Sequence, residues 1–511
     1  MPDDDHCASV SRREFLARSA AVAAAGLAGP SLLTHGAGTA FAASRAARPN
    51  VLFVFADQWR RQSQGYLGED PVLTPRIDAY TREAVSLTNA VSGCPVCSPF
   101  RGSLMTGKYP SSHGVTRNPH HRWTSDLHLS PEHTGFAEPF RDAGYQTAYI
   151  GKWHLHQPTS GKDDPPDDGS DGSDAFVPPG PHRFGWDYWY AYNAHNYHRN
   201  PRYWKDSPDP IRVDQWSPAH ETDVAIEYLK NRDAARPFCM MVSWNPPHPP
   251  FVTPQAWLDL YPEPKKLPLR PNCDPVFNDF YSYTRAKNLA HAQQEYFASV
   301  SSIDHEFGRL LDALRDQGVA EDTIVVLTSD HGEMLGSHSM ASKNKFFEES
   351  AGVPMLIGFP GRVKPGLDDR LLINTPDLMP TVLGLAALDA PAGVEGTSFA
   401  PHLRGEKQEL PEQQVIERTR HPPIPEDGWR AVRTHRYTYA ELGCKPHRAK
   451  VESQWPGRWP VLFDRERDPY QLHPIYRGEG RDAVMDEMHD RLLVQLERNG
   501  DAAYERFRKP A

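Results

Sequence analysis

The sequence predicts an α/β fold: a large, mixed and mostly parallel sheet flanked by helices, with a smaller C-terminal α+β domain. Three observations carry this. Short, wholly apolar runs recur along the chain, as strands buried on both faces require. The segments between them are long enough to hold helices, which is the arrangement of a parallel sheet with crossovers. After about Pro401 the pattern turns more polar, with strand candidates and a final helix of its own.

Taken in order, Val51-Leu52-Phe53-Val54-Phe55 is the first such run, followed by Gln146 to Ile150, Phe238 to Ser243, Thr323 to Thr328 and Val353 to Phe359. From about Ala290 to Gln317, Tyr296, Val300, Ile303, Phe307, Leu310 and Leu314 fall on one helical face, and Gly318 stops the helix before the Thr323 strand. Lys162 to Gly180 is rich in Asp, Gly and Pro and reads as an exposed loop. The C-terminal domain, 401–511, offers strands at Trp429 to Tyr439 and Val461 to Asp464 and a last helix near Ala483 to Glu497.

The chain has 511 residues, and its 39% hydrophobic content can build a sizeable core, which excludes global disorder. With 49 Pro and 36 Gly it has many loops but no collagen-like period. Its net charge of −10 argues against nucleic acid as a partner, so an anionic ligand needs a local cationic site. At the N-terminus, Arg12-Arg13, an apolar run through Leu33 and Ala40-Phe41-Ala42 stand in the order of a twin-arginine export signal covering 1–42. Removing it would leave a catalytic domain, 47–400, and no stable membrane span, with the protein periplasmic or secreted. Six cysteines are too few for a disulfide scaffold, and Cys7 would leave with the signal.

In an open parallel sheet, ligands bind beyond the carboxyl ends of the strands. Asp57-Gln58 ends the first strand and Asp330-His331 the Thr323 strand, so two pairs of hard ligands converge on one edge. Oxygen-dominated ligands suit one divalent cation, Ca²⁺ first, with Mn²⁺ or Mg²⁺ open because His331 adds a nitrogen. Taken singly, an aspartate here is as well explained as a cap or turn residue. The Cys94/Cys97 spacing lacks the second pair that a zinc site needs. Pro99 suits a first helical turn, which places Cys97 at a positive helix end with Arg101 one turn on.

Cys97-x-Pro99-x-Arg101 followed by Thr106-Gly107 resembles the signature of the type I sulfatases of the alkaline phosphatase superfamily. Gly151-Lys152-Trp153-His154-Leu155, Pro247-His248-Pro249-Pro250-Phe251, Lys343 to Ser350, and Leu462-Phe463-Asp464 with Asp468-Pro469 resemble further motifs of that family in order. The resemblance spans Asn50 to about Leu472. It departs where Gln58 replaces the commoner Asp and His331 the commoner Asn, variants similar to choline and carbohydrate sulfatases and to phosphonate monoester hydrolases; Phe100 replaces a usual Ser.

The resemblance implies that a maturase oxidises Cys97 to formylglycine, whose hydrated aldehyde supplies one hydroxyl to attack sulfur and a second to release sulfate. It implies that Asp57, Gln58, Asp330, His331 and the modified Cys97 hold the metal. Arg101, Lys152 and Lys343 would stabilise nucleophile and sulfate oxygens, His154 would assist sulfate release, and His248 would serve the leaving oxygen. The reading is an exported sulfuric ester hydrolase acting on a sulfated carbohydrate or small molecule. The alternatives are a phosphodiester or phosphonate monoester hydrolase, or a choline-type sulfatase, with the same site. Within the aromatic stretch Phe184 to Trp204, His195, Asn196, Tyr197 and His198 are candidates for substrate contact, or equally for packing. His120, His121 and Arg122 are weaker candidates for the same rim.

Overall fold

A computed structural model describes residues 48–119, 127–158, 174–275, 286–419, 428–443 and 458–508. The proposed signal, Cys7, Cys444 and the His120 to Arg122 rim candidates lie outside these residues.

The main sheet has eight strands. In chain order these are β1 (Asn50–Asp57), β2 (Ala84–Leu87), β3 (Gln146–Lys152), β4 (Tyr188–Tyr192), β7 (Phe238–Pro247), β8 (Thr323–Ser329), β9 (Met355–Gly358) and β10 (Gly366–Asp368). The short pair β5 (Arg202–Tyr203) and β6 (Ile211–Arg212) stands apart. The order across the main sheet is β10-β2-β9-β8-β1-β7-β3-β4, parallel throughout except that β9 runs antiparallel to β2 and β8. A second sheet of five antiparallel strands follows: β11 (Gln414–Thr419), β12 (Gly428–Arg433), β13 (Tyr437–Leu442), β14 (Val461–Asp464) and β15 (Ile475–Tyr476).

β1 shows why its sequence is apolar without alternation. Leu52, Val54 and Ala56 pack on one face against the helix Leu289–Asp316, through Tyr296, Val300, Ile303 and Phe307. Val51, Phe53 and Phe55 pack on the other against Phe100 and Leu104 of the helix Cys97–Thr106 and Leu378, Met379 and Val382 of the helix Thr375–Leu385. A central strand covered twice has no position left for a polar residue. The long helix starts where the Asn288 side chain accepts the His291 N–H, and ends before Gly318 at φ 67°.

The five predicted main-sheet strands form, and so do both long helices. Three expectations change. The Trp429 to Tyr439 strand is two strands, β12 and β13, reversed by a turn in which the Thr434 N–H bonds the Tyr437 carbonyl. β4 arises inside the aromatic stretch Phe184 to Trp204, for which no strand was expected. The described end of the Lys162 to Gly180 loop is not all exposed: Asp174 and Val177 are buried, and Asp174 binds Arg202 Nε at 3.0 Å.

Candidate active site

Adjacent strand ends build the site. β1 and β8 are parallel neighbours, so Asp57 and Asp330 arrive side by side, tied by the Asp330 N–H to the Ala56 carbonyl at 3.1 Å. Gln58 then takes a left-handed φ of 69°. Its N–H donates to Asp330 Oδ1 at 2.9 Å and its carbonyl accepts from the Tyr296 hydroxyl of the long helix at 2.8 Å, which offsets the strain. β3 delivers Lys152, and β7 ends just before His248. Gly151, at φ 100°, lies so close to β7 that a Cβ would fall 2.2 Å from the Ser243 carbonyl oxygen.

Cys97 opens its helix, almost fully buried, with Sγ 3.5 Å from Asp57 Oδ1, 3.3 Å from His331 Nε2 and 3.4 Å from Lys343 Nζ. Ligand atoms of Asp57, Cys97, Asp330 and His331 all lie within 4.8 Å of one another. Gln58 Oε1 joins them through Lys343 Nζ at 2.7 Å. Two carboxylates, an imidazole and an amide oxygen, all buried and close together, fit a hard divalent cation.

Cations surround this group. Arg101 NH2 bridges Asp57 Oδ2 at 3.3 Å and Asp330 Oδ2 at 3.2 Å, while its NH1 donates to the Lys152 carbonyl and the Ser243 hydroxyl. Lys152 Nζ donates to Asp57 Oδ2 at 2.7 Å and to Asn245 Oδ1 at 3.0 Å. Burial would raise the Asp57 carboxyl, but Lys152, His248, Lys343 and Arg101 outweigh it and hold it well below the ordinary range. Asp330 is pushed up to about 7 by burial and by Asp57. The pair carries one charge easily and a second only against repulsion, as a site made to face a cation does.

His154 takes φ 58°, held by its N–H on the Asn193 carbonyl and by Ser98 Oγ donating to its own carbonyl, and its Nδ1 is buried without a partner among the described residues. Burial, then Lys152 and Arg101, holds its pKa well below the usual value, so the ring is neutral and basic in form at neutral pH. His248 is half-buried, with Nδ1 2.5 Å from the Pro249 carbonyl.

The predicted residues Asp57, Gln58, Cys97, Arg101, Lys152, His154, His248, Asp330, His331 and Lys343 therefore gather in one cluster at the strand ends. The loop after β4 is divided. His195 is buried, stacked on Tyr192 at 3.7 Å between ring centres with Nε2 on the Arg202 carbonyl, and His198 Nε2 donates to the His248 carbonyl at 2.7 Å. Asn196 is exposed and Tyr197 half-buried. Asn245 was missed: its Nδ2 donates to the His195 carbonyl and to Asn196 Oδ1, joining Lys152 to this loop. Ser243 and Glu333 were missed too. The only signal was their place, at the end of an apolar strand and two residues beyond His331.

A mixed sheet flanked by helices, carrying hard ligands, a helix-borne nucleophile position and clustered cations at its strand ends, defines a hydrolase of charged esters with the alkaline-phosphatase-like fold. Residues 49–388 match the Sulfatase family and residues 336–498 the N-sulphoglucosamine sulphohydrolase C-terminal family, and the chain belongs to the sulfatases. It is 34% identical to an endo-4-O-sulfatase of Bacteroides thetaiotaomicron over 90% of this chain and 94% of that one. It is 35% identical to an ulvan-active sulfatase of Formosa agariphila over 89% and 82%. A structure from work on the metabolism of multiple glycosaminoglycans by Bacteroides thetaiotaomicron superposes with a TM-score of 0.80 at 33% identity, covering 90% of this chain and 98% of that one. The chain is an enzyme of sulfate ester hydrolysis, and the family implies a divalent metal site.

Proposed function

We propose that this sulfatase hydrolyses a sulfate ester of a glycan with a formylglycine formed from Cys97 and one divalent cation, Ca²⁺ first. The observation that carries the reading is the convergence of the Cys97 side chain with Asp57, Asp330 and His331 within 4.8 Å. The aldehyde hydrate would supply the attacking hydroxyl and the cation its activation. Arg101 and Lys152 hold Asp57 ionised and in place, and Lys343, which reaches the side chain of residue 97, would serve the sulfate oxygens. Neutral His154 would take the proton of the second hydroxyl, and His248 would serve the leaving alcohol.

The names of two relatives, endo-4-O-sulfatase and ulvan-active sulfatase, support a sulfated glycan. The exposure of Asn196, bonded to Asn245, and the half-exposure of Tyr197 support a part for both in meeting the sugar. The order of Arg12-Arg13, apolar run and Ala40-Phe41-Ala42 supports export of the folded chain to the periplasm or beyond. No helix among the described residues is long and apolar enough to cross a membrane.

Peptide mass spectrometry of active protein is expected to find formylglycine at position 97, and chelation to abolish turnover until Ca²⁺ is restored. Full activity of Cys97→Ala, or indifference to chelation, would overturn the reading. Replacing Arg12 and Arg13 by lysine should trap the precursor in the cytoplasm; undiminished export would refute the signal. A panel of sulfated sugars set against choline sulfate and a phosphodiester decides the substrate class.

A further inference from the structure

Between His331 and Lys343 the chain makes a turn to which the chemistry above assigns no part. Gly332 passes so close to a neighbouring segment that a Cβ would lie 1.9 Å from the Glu349 carbonyl oxygen, which fixes the path into the next residue. Glu333 follows with no exposed surface. Its Oε2 accepts from Nε2 of Gln58. Its Oε1 accepts two backbone N–H groups, from Leu335 at 2.9 Å and from Ser342 at 2.6 Å. Leu335 and Ser342 both take left-handed backbone, at φ 43° and 72°, so the carboxylate pins two strained positions of the turn. Ser342 directly precedes Lys343.

The Gln58 amide has two chemically different ends. Its oxygen can face a cation and its NH2 cannot. With Nε2 on Glu333, Oε1 turns to Lys343 Nζ at 2.7 Å, the side on which Asp57, Asp330 and His331 gather. We propose that Glu333 is a positioning residue that locks the Gln58 amide with its oxygen toward the cation and, through its second oxygen, holds the turn that brings Lys343 to residue 97. A carboxylate at 58 would meet Glu333 like charge to like charge. The amide at 58 and the carboxylate at 333 therefore act as one unit, and this deepens the metal reading above, on which it rests.

The test uses full-length, metal-stripped protein and four variants: Glu333→Gln, Gln58→Glu, the two combined, and Glu333→Ala, each confirmed folded by its thermal melt. Ca²⁺ is titrated calorimetrically. Each of the first two is expected to bind about 10–100-fold more weakly, as for the loss of other partners that orient metal ligands. The combined exchange should recover most of that, because the amide introduced at 333 can donate to the carboxylate introduced at 58. Hydrogen exchange of residues 334–343, measured without metal, should quicken in Glu333→Ala and stay slow in the exchange. Unaltered Ca²⁺ binding by Glu333→Gln, or an exchange no better than the weaker single variant, would overturn the proposal. A wild-type protein that binds no divalent ion would sink the metal reading instead. The hydrogen-exchange arm then decides alone, with unchanged rates in Glu333→Ala refuting the role of Glu333.

Discussion

His248 can give a proton to a leaving alcohol only as an imidazolium. Its Nδ1 faces the Pro249 carbonyl at 2.5 Å and so keeps a hydrogen, which leaves Nε2 bare in the neutral ring. Burial, then Lys343, holds its pKa well below the ordinary value, so the charged form gains as pH falls below neutral. A sugar alkoxide needs that proton and a nitrophenolate hardly does. His248→Ala is therefore expected to lose about 10²-fold or more on a sulfated sugar, little on an aryl sulfate, and to flatten the acid-side rise of kcat/KM for the sugar. Equal losses on both substrates, read from pH profiles of the two, would remove the role. Of the residues proposed to carry the chemistry, Asp57, Gln58, Asp330 and His331 were legible as hard ligands at strand ends, and Cys97, Arg101, Lys152, His154, His248 and Lys343 through the motifs that resemble the sulfatase family. Asn245 and Ser243 were not, since their value is a partner that only the register of β7 against β1 and β3 supplies.

At the scale of elements, periodicity was sufficient wherever burial is uniform. The Leu289–Asp316 helix matched because its buried apolar face runs from Leu289 to Leu314, and Phe307 within it is fully buried against Tyr80. Phe307→Ala should cost about 3–5 kcal/mol, seen as a lower denaturant midpoint, with no change in KM, because the site lies at the other end of the strands. A loss below about 1 kcal/mol would mean the helix is less tightly packed than its contacts imply. β4 was hidden because Tyr188–Tyr192 is aromatic at every position but Ala191 and shows neither polar alternation nor an aliphatic run. The reversal after β12 was hidden because Thr434-His435-Arg436 contains no glycine or proline to announce it.

Across the whole molecule, the two sheets are joined by a buried ionic lock. Arg433 of β12 donates to Glu348 of the short helix Glu348–Ala351 through Nε at 2.8 Å and NH2 at 2.9 Å, and Arg465 adds a third contact at 3.3 Å. Burial would raise the Glu348 carboxyl, but Arg433 and Arg465 outweigh it and hold it well below the ordinary range. A depressed carboxyl adds stability that is complete above its unfolded pKa and lost as pH falls below it. Docking of the C-terminal sheet should therefore weaken below about pH 4.5, measured as faster hydrogen exchange in β12 and β13. Glu348→Gln should bring about 3–5 kcal/mol of the same loss to pH 7 by leaving Arg433 buried and unpaired. Exchange that does not respond to either change would show that apolar contact alone holds the sheets.

The cations in the pocket have a further consequence, for the approach of the substrate. Arg101, Lys152 and Lys343 are nearly inaccessible, whereas the chain as a whole carries a net charge of −10. A small monosulfate feels attraction only inside the mouth, while a long polyanionic glycan meets the repulsion of the acidic exterior first. Salt screens the exterior over a Debye length of roughly 10 Å at 0.1 M but reaches the buried cations far less. Raising ionic strength from low values should therefore speed capture of long, highly sulfated chains relative to a monosulfated sugar. The ratio of kcat/KM for the two, followed against salt, would reveal an enzyme whose surface sorts its esters by length before the pocket reads them.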